Sequence, residues 1–407
     1  MPISLRLAWR NLWRHKRRTW LTTGAMVFSN VLLVFLITWQ YAMYGMMVDN
    51  SLRMLTGHFQ IQHPAYFDKP RIENSFQLSK STLEALENQD GIDVLVRRSE
   101  AFVLASSRER SYGIQIIGVE ANKEASISSL PGLLKDGRYL QANEEQIEIV
   151  LGSRLAKNLK IKLGDELTLF GSAKDGSTAA AIATLVGTLE TGVQEVDRNL
   201  AFIHLEDFDA IFAMEGEIHR VVALTPSVDS VDTLLTKIPE LGEDVVVRDW
   251  NKLLPELKQS IQSDMASSWF MYSVLIILVA FSVLNTQLMS VLERTKEYGI
   301  MMALGLNTLR LASLVLLEAL LMALLGLLLG IGLGLIVVAI LGQTGVSFPG
   351  MEEMAAEFNI PSRMYLEIDL RSAMAGPLLV FSASILAAIY PVLRLRRLRI
   401  VQAMRAP

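Results

Sequence analysis

The segment Gly171 to Thr178, GSAKDGST, comes within one residue of the phosphate-cradling pattern G-x-x-x-x-G-K-[ST]. Ser177 stands where a lysine would reach the β- and γ-phosphates, so a polar hairpin turn accounts for the segment better. The histidines, His15, His58, His63, His204 and His219, form no H-E-x-x-H pair and no group at metal-ligand spacing. They are expected at the surface or in loops. No G-x-S-x-G elbow occurs, and the absence of cysteine excludes disulfides, thiolate metal sites and cysteine nucleophiles. The chain is therefore expected to carry no catalytic, cofactor-binding or metal-binding residue and to work other than as an enzyme.

Glu318 is the ionisable residue that stands out, because it lies inside an apolar run. Such a residue is a functional candidate whose partner must be named. About two turns from the end of its helix, it is expected to snorkel or to bond Asn285 or Gln287 of the preceding helix.

The elements that position these residues belong to a membrane protein. Of 407 residues, 51% are apolar, and four runs reach the roughly 20 residues needed to cross a hydrocarbon core. The expected fold is a multi-pass α-helical membrane protein with four transmembrane helices and a large mixed α+β domain inserted between helices 1 and 2. The expected boundaries are an interfacial amphipathic helix over 1–18, spans over 19–46, 265–292, 311–341 and 372–395, an extracytoplasmic domain over 47–264, a cytoplasmic loop over 293–310, a short extracytoplasmic loop over 342–371 and a basic tail over 396–407. The first run is longer than a signal-peptide core and no A-x-A site follows, so it is read as uncleaved.

Charge is segregated. Met1 to Arg18 holds six Lys or Arg and no acid, Arg394 to Pro407 five and none, whereas residues 46–268 hold 22 basic and 34 acidic residues. The positive-inside rule places both termini and the 293–310 loop in the cytoplasm. The same rule accounts for the basic tail through topology and anionic lipid, so nucleic acid is not expected as a partner. In the opening segment Leu5, Ala8, Trp9, Leu12 and Trp13 share one helix face, with Arg6, Arg10, Arg14 and Arg17 on another, set to meet lipid phosphates.

Within the large domain, GHFQIQHP, YGIQIIGV, QIEIVLG, DELTLFG, AIATLVGTLET, LAFIHL and HRVVALT read as strands. SRLAKNLK, LEDFDAIFAM, SVDTLLTKI and LLPELKQSIQ read as short helices. In the third span Gly326, Gly330 and Gly334 recur every four residues, a packing seam for another helix of this chain or of a second subunit. In the fourth, Pro377 and Pro391 are expected to kink or end the helix.

Glu293 to Gly326, which opens ERTKEYGIMMALGLN, resembles the corresponding segment of ABC transporter permeases of the MacB, LolC/LolE and FtsX type. AWRNLWRHKRRTWLTT is similar to that family's amphipathic N-terminal helix, LGSRLAKNLKIKLGDELTL to its periplasmic core, and YPVLRLRRLRIVQAMR to its basic ending. The resemblance implies a bacterial inner-membrane protein with a periplasmic domain. It also implies a mechanotransmission mechanism, in which a separate cytoplasmic ABC ATPase dimer uses ATP and Mg and presses on a coupling helix in the 293–310 loop. The match falls on Glu293, Arg294, Glu297, Gly299, Ala303, Leu304 and Gly305, and Glu318 matches a glutamate often seen in the next helix. Tyr298, Met301 and Met302 are expected to offer an apolar face to the partner's groove; Gly305 should end the helix, and Asn307 or Thr308 should cap the next.

The chain carries no nucleotide-binding segment, which suits the separate-subunit arrangement of LolC/LolE. The implied partners are the ATPase, a second permease copy or paralogue, membrane lipid, and a lipoprotein with a periplasmic chaperone or adaptor. The leading expectation is lipoprotein release. The alternatives are export of a small molecule or peptide through an adaptor, and an FtsX-like scaffold that switches a cell-wall hydrolase.

Overall fold

A computed structural model describes residues 3–141, 146–238, 241–242, 244–347, 349 and 363–396. The basic tail expected over 396–407, beyond its first residue, and much of the 342–371 loop lie outside the described residues. The chain forms two compact units, one of residues 1–45, 260–348 and 363–407, the other of 46–259 and 349–362.

The first unit is helical. It contains α1 (Ile3–Leu12), most of α2 (Lys16–Ser51) and of α10 (Pro255–Glu293), α11 (Thr295–Ala303), α12 (Thr308–Thr344) and α13 (Leu370–Arg396). Four of these are long and apolar enough to cross a membrane. At 36 and 39 residues, α2 and α10 run to about 54 and 58 Å at 1.5 Å per residue, well beyond a hydrocarbon core of about 30 Å. The stretch LLPELKQSIQ is thus no separate helix: from Pro255 onward it forms the first turns of α10.

Pro377 and Pro391 both sit inside α13 without breaking it. Both are buried against the bundle, and in lipid an uninterrupted helix is the arrangement that leaves fewest backbone groups unpaired.

Packing between α2 and α12 is set by the glycine seam. A Cβ built on Gly326, Gly330 or Gly334 would lie 2.8, 2.4 or 2.9 Å from Cβ of Met26, Asn30 or Val34. Both sets advance by four in the same direction, so the two helices run parallel at backbone contact. The seam is therefore an intrachain one. Asn30 Nδ2 also donates to the carbonyl of Gly326 at 3.0 Å, a polar contact that the missing side chain opens. At the end of the bundle remote from α1, Tyr44 donates to Asp264 at 2.5 Å, and Gln40 joins Ser268 and Tyr272 at 2.5 and 2.9 Å.

The second unit is mixed α and β. Its strands are β1 (Phe59–Gln62), β2 (Val94–Ser106), β3 (Ser111–Val119), β4 (Leu134–Gly137), β5 (Ile147–Gly152), β6 (Glu166–Ser172), β7 (Thr178–Leu189), β8 (Leu200–His204), β9 (Arg220–Leu224) and β10 (Val246–Asp249). The helices between them are α3 (Lys80–Glu87), α4 (Ala121–Ile127), α5 (Ser153–Leu159), α6 (Gln194–Asn199), α7 (Leu205–Phe212), α8 (Val231–Leu235) and α9 (Trp250–Leu253). All seven expected strands form; β2, β4 and β10 join them.

The pairings β2–β3, β3–β8, β8–β5, β5–β7, β7–β6 and β6–β2 close a ring of six strands. Its interior holds Val103, Ile116, Leu151, Leu169, Leu185 and Ile203, plugged by Phe208 and Phe212 of α7. The first half of β2 instead pairs with β9 in the order β10–β1–β9–β2, and α3 and α8 cover one face through Leu86, Val231 and Leu234. The GSAKDGST segment is the turn of the β6–β7 hairpin, with Ala173 N–H donating to Ser177 O at 2.9 Å.

Two histidines depart from the surface expectation, since His58 and His219 are buried. His219 Nδ1 accepts the N–H of Glu100 at 3.1 Å and its Nε2 lies 3.1 Å from the carbonyl of Ile72, which fixes the neutral Nε2–H tautomer. Burial lowers its pKa to about 4, against smaller opposing effects of the Ile72 carbonyl and Glu217.

Two predictions follow from these contacts. Gly330→Ala should force α2 from α12 and cost about 1–3 kcal/mol, whereas Gly332→Ala, which meets nothing within 4 Å, should be within about 0.5 kcal/mol of wild type; thermal unfolding in detergent compares them. For His219, the unfolded chain binds a proton below about pH 6.5 that the folded chain refuses until about pH 4. Stability is thus full above pH 6.5 and falls as the pH drops toward 4, by up to about 3 kcal/mol, and His219→Gln should flatten this slope in urea titrations.

Candidate functional site

The short helix α11 lies between two spans and is bounded by local chemistry. At its end Gly305 takes φ +93°, and the N–H groups of Gly305 and Leu306 donate to Met302 and Met301 carbonyls, both at 3.1 Å. This is a Schellman turn, and only glycine adopts that φ without strain. Asn307 then caps α12 by accepting the N–H of Leu309 at 3.1 Å.

The faces of α11 differ from the sequence expectation. Tyr298 and Met302 are buried, in a cluster with Val291, Leu311, Ala312, Val315 and Leu395 against which Met301 also packs. Gly299 is buried as well. The face expected to meet a partner is therefore turned into this chain, because α12 and α13 offer it an apolar surface closer at hand. Lys296, Ile300, Ala303 and Leu304 are the exposed residues instead, Leu304 at 79% and Ile300 at 50%.

Charge anchors the start of the same helix. Arg294, 6% exposed, donates through Nη1 to both oxygens of Glu318 at 3.1 and 3.2 Å. Its Nε reaches Glu297 at 3.3 Å, and its guanidinium lies 5.2 Å from the centre of the Tyr298 ring. Glu318 also accepts from Asn11 Nδ2 at 2.6 Å. Glu297 is held in turn by Arg14, with contacts of 2.8 and 3.1 Å, and Glu293 by Arg18 at 2.7 Å. Three guanidinium groups thus meet three carboxylates drawn from the α1–α2 region, the α10–α11 junction and α12.

The expected partners of Glu318 are corrected by this arrangement. Asn285 is exposed, and Gln287, though buried, makes no hydrogen bond to Glu318; it lines a cavity of about 20 Å³ with Asn11, His15, Ser290 and Glu318. Arg14 is likewise taken from the lipid-facing set and given to Glu297. Sequence reasoning missed Asn11, Arg14 and Arg18 as site residues. Their signal was present as polar side chains on an amphipathic helix, but the lipid surface explained it equally well.

Electrostatics follow burial and pairing. Burial alone would raise the Glu297 pKa, yet Arg14 and Arg294 together hold it below the usual carboxylate range. Burial pushes Tyr298 up to about 12, with Arg294 opposing. Three guanidinium groups paired with three carboxylates from separate helices suit a mechanical tie between those helices.

Comparison with known proteins places this geometry. Residues 19–241 match the MacB-like periplasmic core domain, and residues 269–400 match the FtsX-like permease C-terminal domain. The lipoprotein-releasing system transmembrane protein LolC of Neisseria meningitidis serogroup B is 22% identical over 347 residues, which cover 82% of this chain and 83% of that protein. LolC of Xylella fastidiosa is 24% identical over 311 residues, covering 73% and 74%. The crystal structure of the periplasmic region of MacB from Actinobacillus actinomycetemcomitans aligns with 50% of this chain and 92% of its own, at 15% identity and a TM-score of 0.37. With a MacB-like periplasmic core domain over more than half of its length and an FtsX-like permease domain after it, the chain belongs to the ABC transporter permeases of the LolC and MacB type.

Proposed function

We propose that this chain transmits ATP-driven motion from a separate cytoplasmic ABC ATPase, docked on α11, to its periplasmic domain, and that the work done is release of lipoproteins from the bacterial inner membrane. The observation that carries the docking assignment is the exposed apolar face of α11, Ile300, Ala303 and Leu304, on a helix whose other face is buried and whose first turn is ion-paired. A short amphipathic helix so anchored presents the side chains that a partner's groove takes up. In this reading ATP and Mg are used by the ATPase, whose two copies serve a pair of permeases, either two copies of this chain or this chain and a paralogue. The basic segments at both ends support a cytoplasmic location for α11 and for the termini, and a periplasmic one for the sheet unit.

Support for the substrate comes from the relatives, which are named for a lipoprotein-releasing system. The sheet unit adds a surface of fitting chemistry. Phe102, Leu104, Phe170 and Ile182 are exposed at 67%, 47%, 45% and 59%, and Leu104 and Phe170 are direct cross-strand neighbours on β2 and β6. An apolar patch of this kind suits a lipid-bearing or chaperone-type partner.

The tests separate the two parts of the proposal. A tagged chain should copurify with an ABC ATPase, and Leu304→Glu combined with Ile300→Glu should cut recovery by about tenfold or more, against less than about twofold for Lys296→Ala. Equal recovery for all three would remove α11 as the docking helix. In liposomes holding both subunits and an acylated lipoprotein, ATP should move the lipoprotein into solution; retention in the membrane would remove the substrate assignment and leave the docking one standing.

A further inference from the structure

Glu318 is the sole acidic side chain of α12, and it is 5% exposed. A carboxylate so placed persists when donors meet it. Here they come from two other elements. Arg294, between α10 and α11, takes both oxygens, and Asn11 of α1 donates at 2.6 Å. Arg294 spends its other edge on Glu297, and Glu297 is gripped by Arg14 just beyond α1. The chain of contacts Asn11, Glu318, Arg294, Glu297, Arg14 starts and ends near α1 and encloses the first turn of α11.

We propose that Glu318 is a positioning residue: by holding Arg294 and Asn11 it locks α11 and α1 onto α12, so that the three helices move as one body when α11 is displaced. The inference rests on the docking role proposed for α11. The apolar cluster around Tyr298 and Met302 also attaches α11 to α12, but apolar contact has no direction and permits sliding and rotation. Hydrogen bonds into one carboxylate from two donors on different elements fix both. Without the Glu318 charge, Arg294 stays buried with Glu297 as its remaining counter-ion, and Asn11 loses a charged acceptor.

The absence of native cysteine allows a direct measurement. Spin labels on Lys296→Cys of α11 and Leu316→Cys of α12, both exposed sites, report the distance between the helices in the full-length chain in nanodiscs. A narrow distribution is expected in the wild-type background, and one broadened about twofold or more in E318Q and in R294Q. The double variant R294Q/E318Q should recover much of the narrow distribution, because two amides can pair with no charge left unmatched. An E318Q distribution as narrow as wild type overturns the lock, as does a double variant no narrower than the singles.

Should E318Q fail to insert, R294K, which keeps the charge but loses the guanidinium fork, takes its place with the same expectation. With the ATPase bound, the ATP-dependent change at a label on Thr344→Cys, at the far end of α12, should fall about fivefold or more in E318Q when compared per ATP hydrolysed. An undiminished change there overturns the positioning role. Failure of the wild-type chain to bind any ATPase would refute the proposed function, and the distance measured on the chain alone would still decide the lock.

Discussion

Helices in lipid gain nothing from hiding apolar side chains from one another, so their association rests on close contact and on the few polar bonds that contact allows. In this bundle the closest contact is the seam in which α12 lays Gly326, Gly330 and Gly334 against Met26, Asn30 and Val34 of α2. The two helices are parallel, and the offset between contacting residues is constant. Followed eight residues toward the N-terminal end of each, the seam brings Arg18 level with Glu318. The register made by glycines in mid-membrane therefore determines which polar groups meet at its edge: Asn11, Arg14 and Arg18 on one side, Glu293, Glu297 and Glu318 on the other. A slip of one turn along the seam would part Arg14 from Glu297, Arg18 from Glu293 and Asn11 from Glu318.

The ion pairs at that edge are unequal. Glu293 with Arg18 and Glu297 with Arg14 are substantially exposed, and pairs of that kind contribute about 0–1 kcal/mol. Arg294 with Glu318 is nearly dry, so its desolvation cost offsets much of its attraction and its net contribution to stability is small, although loss of either partner alone would be severe. Its value lies in direction. The apolar cluster beneath α11 holds the helix down, and the buried pair fixes its rotation, leaving Ile300 and Leu304 turned outward.

Much of this was legible from the sequence, and the failures have physical causes. The seven strands with clean alternation, the spans, the glycine seam and the Gly305 stop all follow from local pattern. Strand β2 was missed although it is the longest, because VRRSE in its middle reads as a solvated turn, whereas Arg98, Ser99 and Glu100 are buried. The helix α11 was located, but its buried face was misassigned: nine residues with Tyr298, Ile300, Met301 and Met302 are apolar nearly all round, and periodicity cannot choose a side. Asn11 lies 307 residues from Glu318, and no local rule links the two.

The same economy of buried charge recurs in the sheet unit, which argues that it serves register rather than strength. Strand β2 belongs to two lobes, pairing with β9 over Val94–Arg98 and with β3 over Arg98–Ser106. Where they meet, Arg98 binds Glu124 at 2.5 Å and the carbonyl of Leu55, while Glu100 takes Arg220, Tyr66 at 2.8 Å and Gln115 at 2.9 Å. A shift of β2 by one residue would turn these charges into the apolar interior beside Val103 and Ile116 and leave them without partners. Alternative pairings are thereby penalised, and the two lobes are joined through one strand with a single register. The proposed transmission of motion needs that property, because a strand free to slip would absorb a displacement before it reached the surface carrying Phe102 and Phe170.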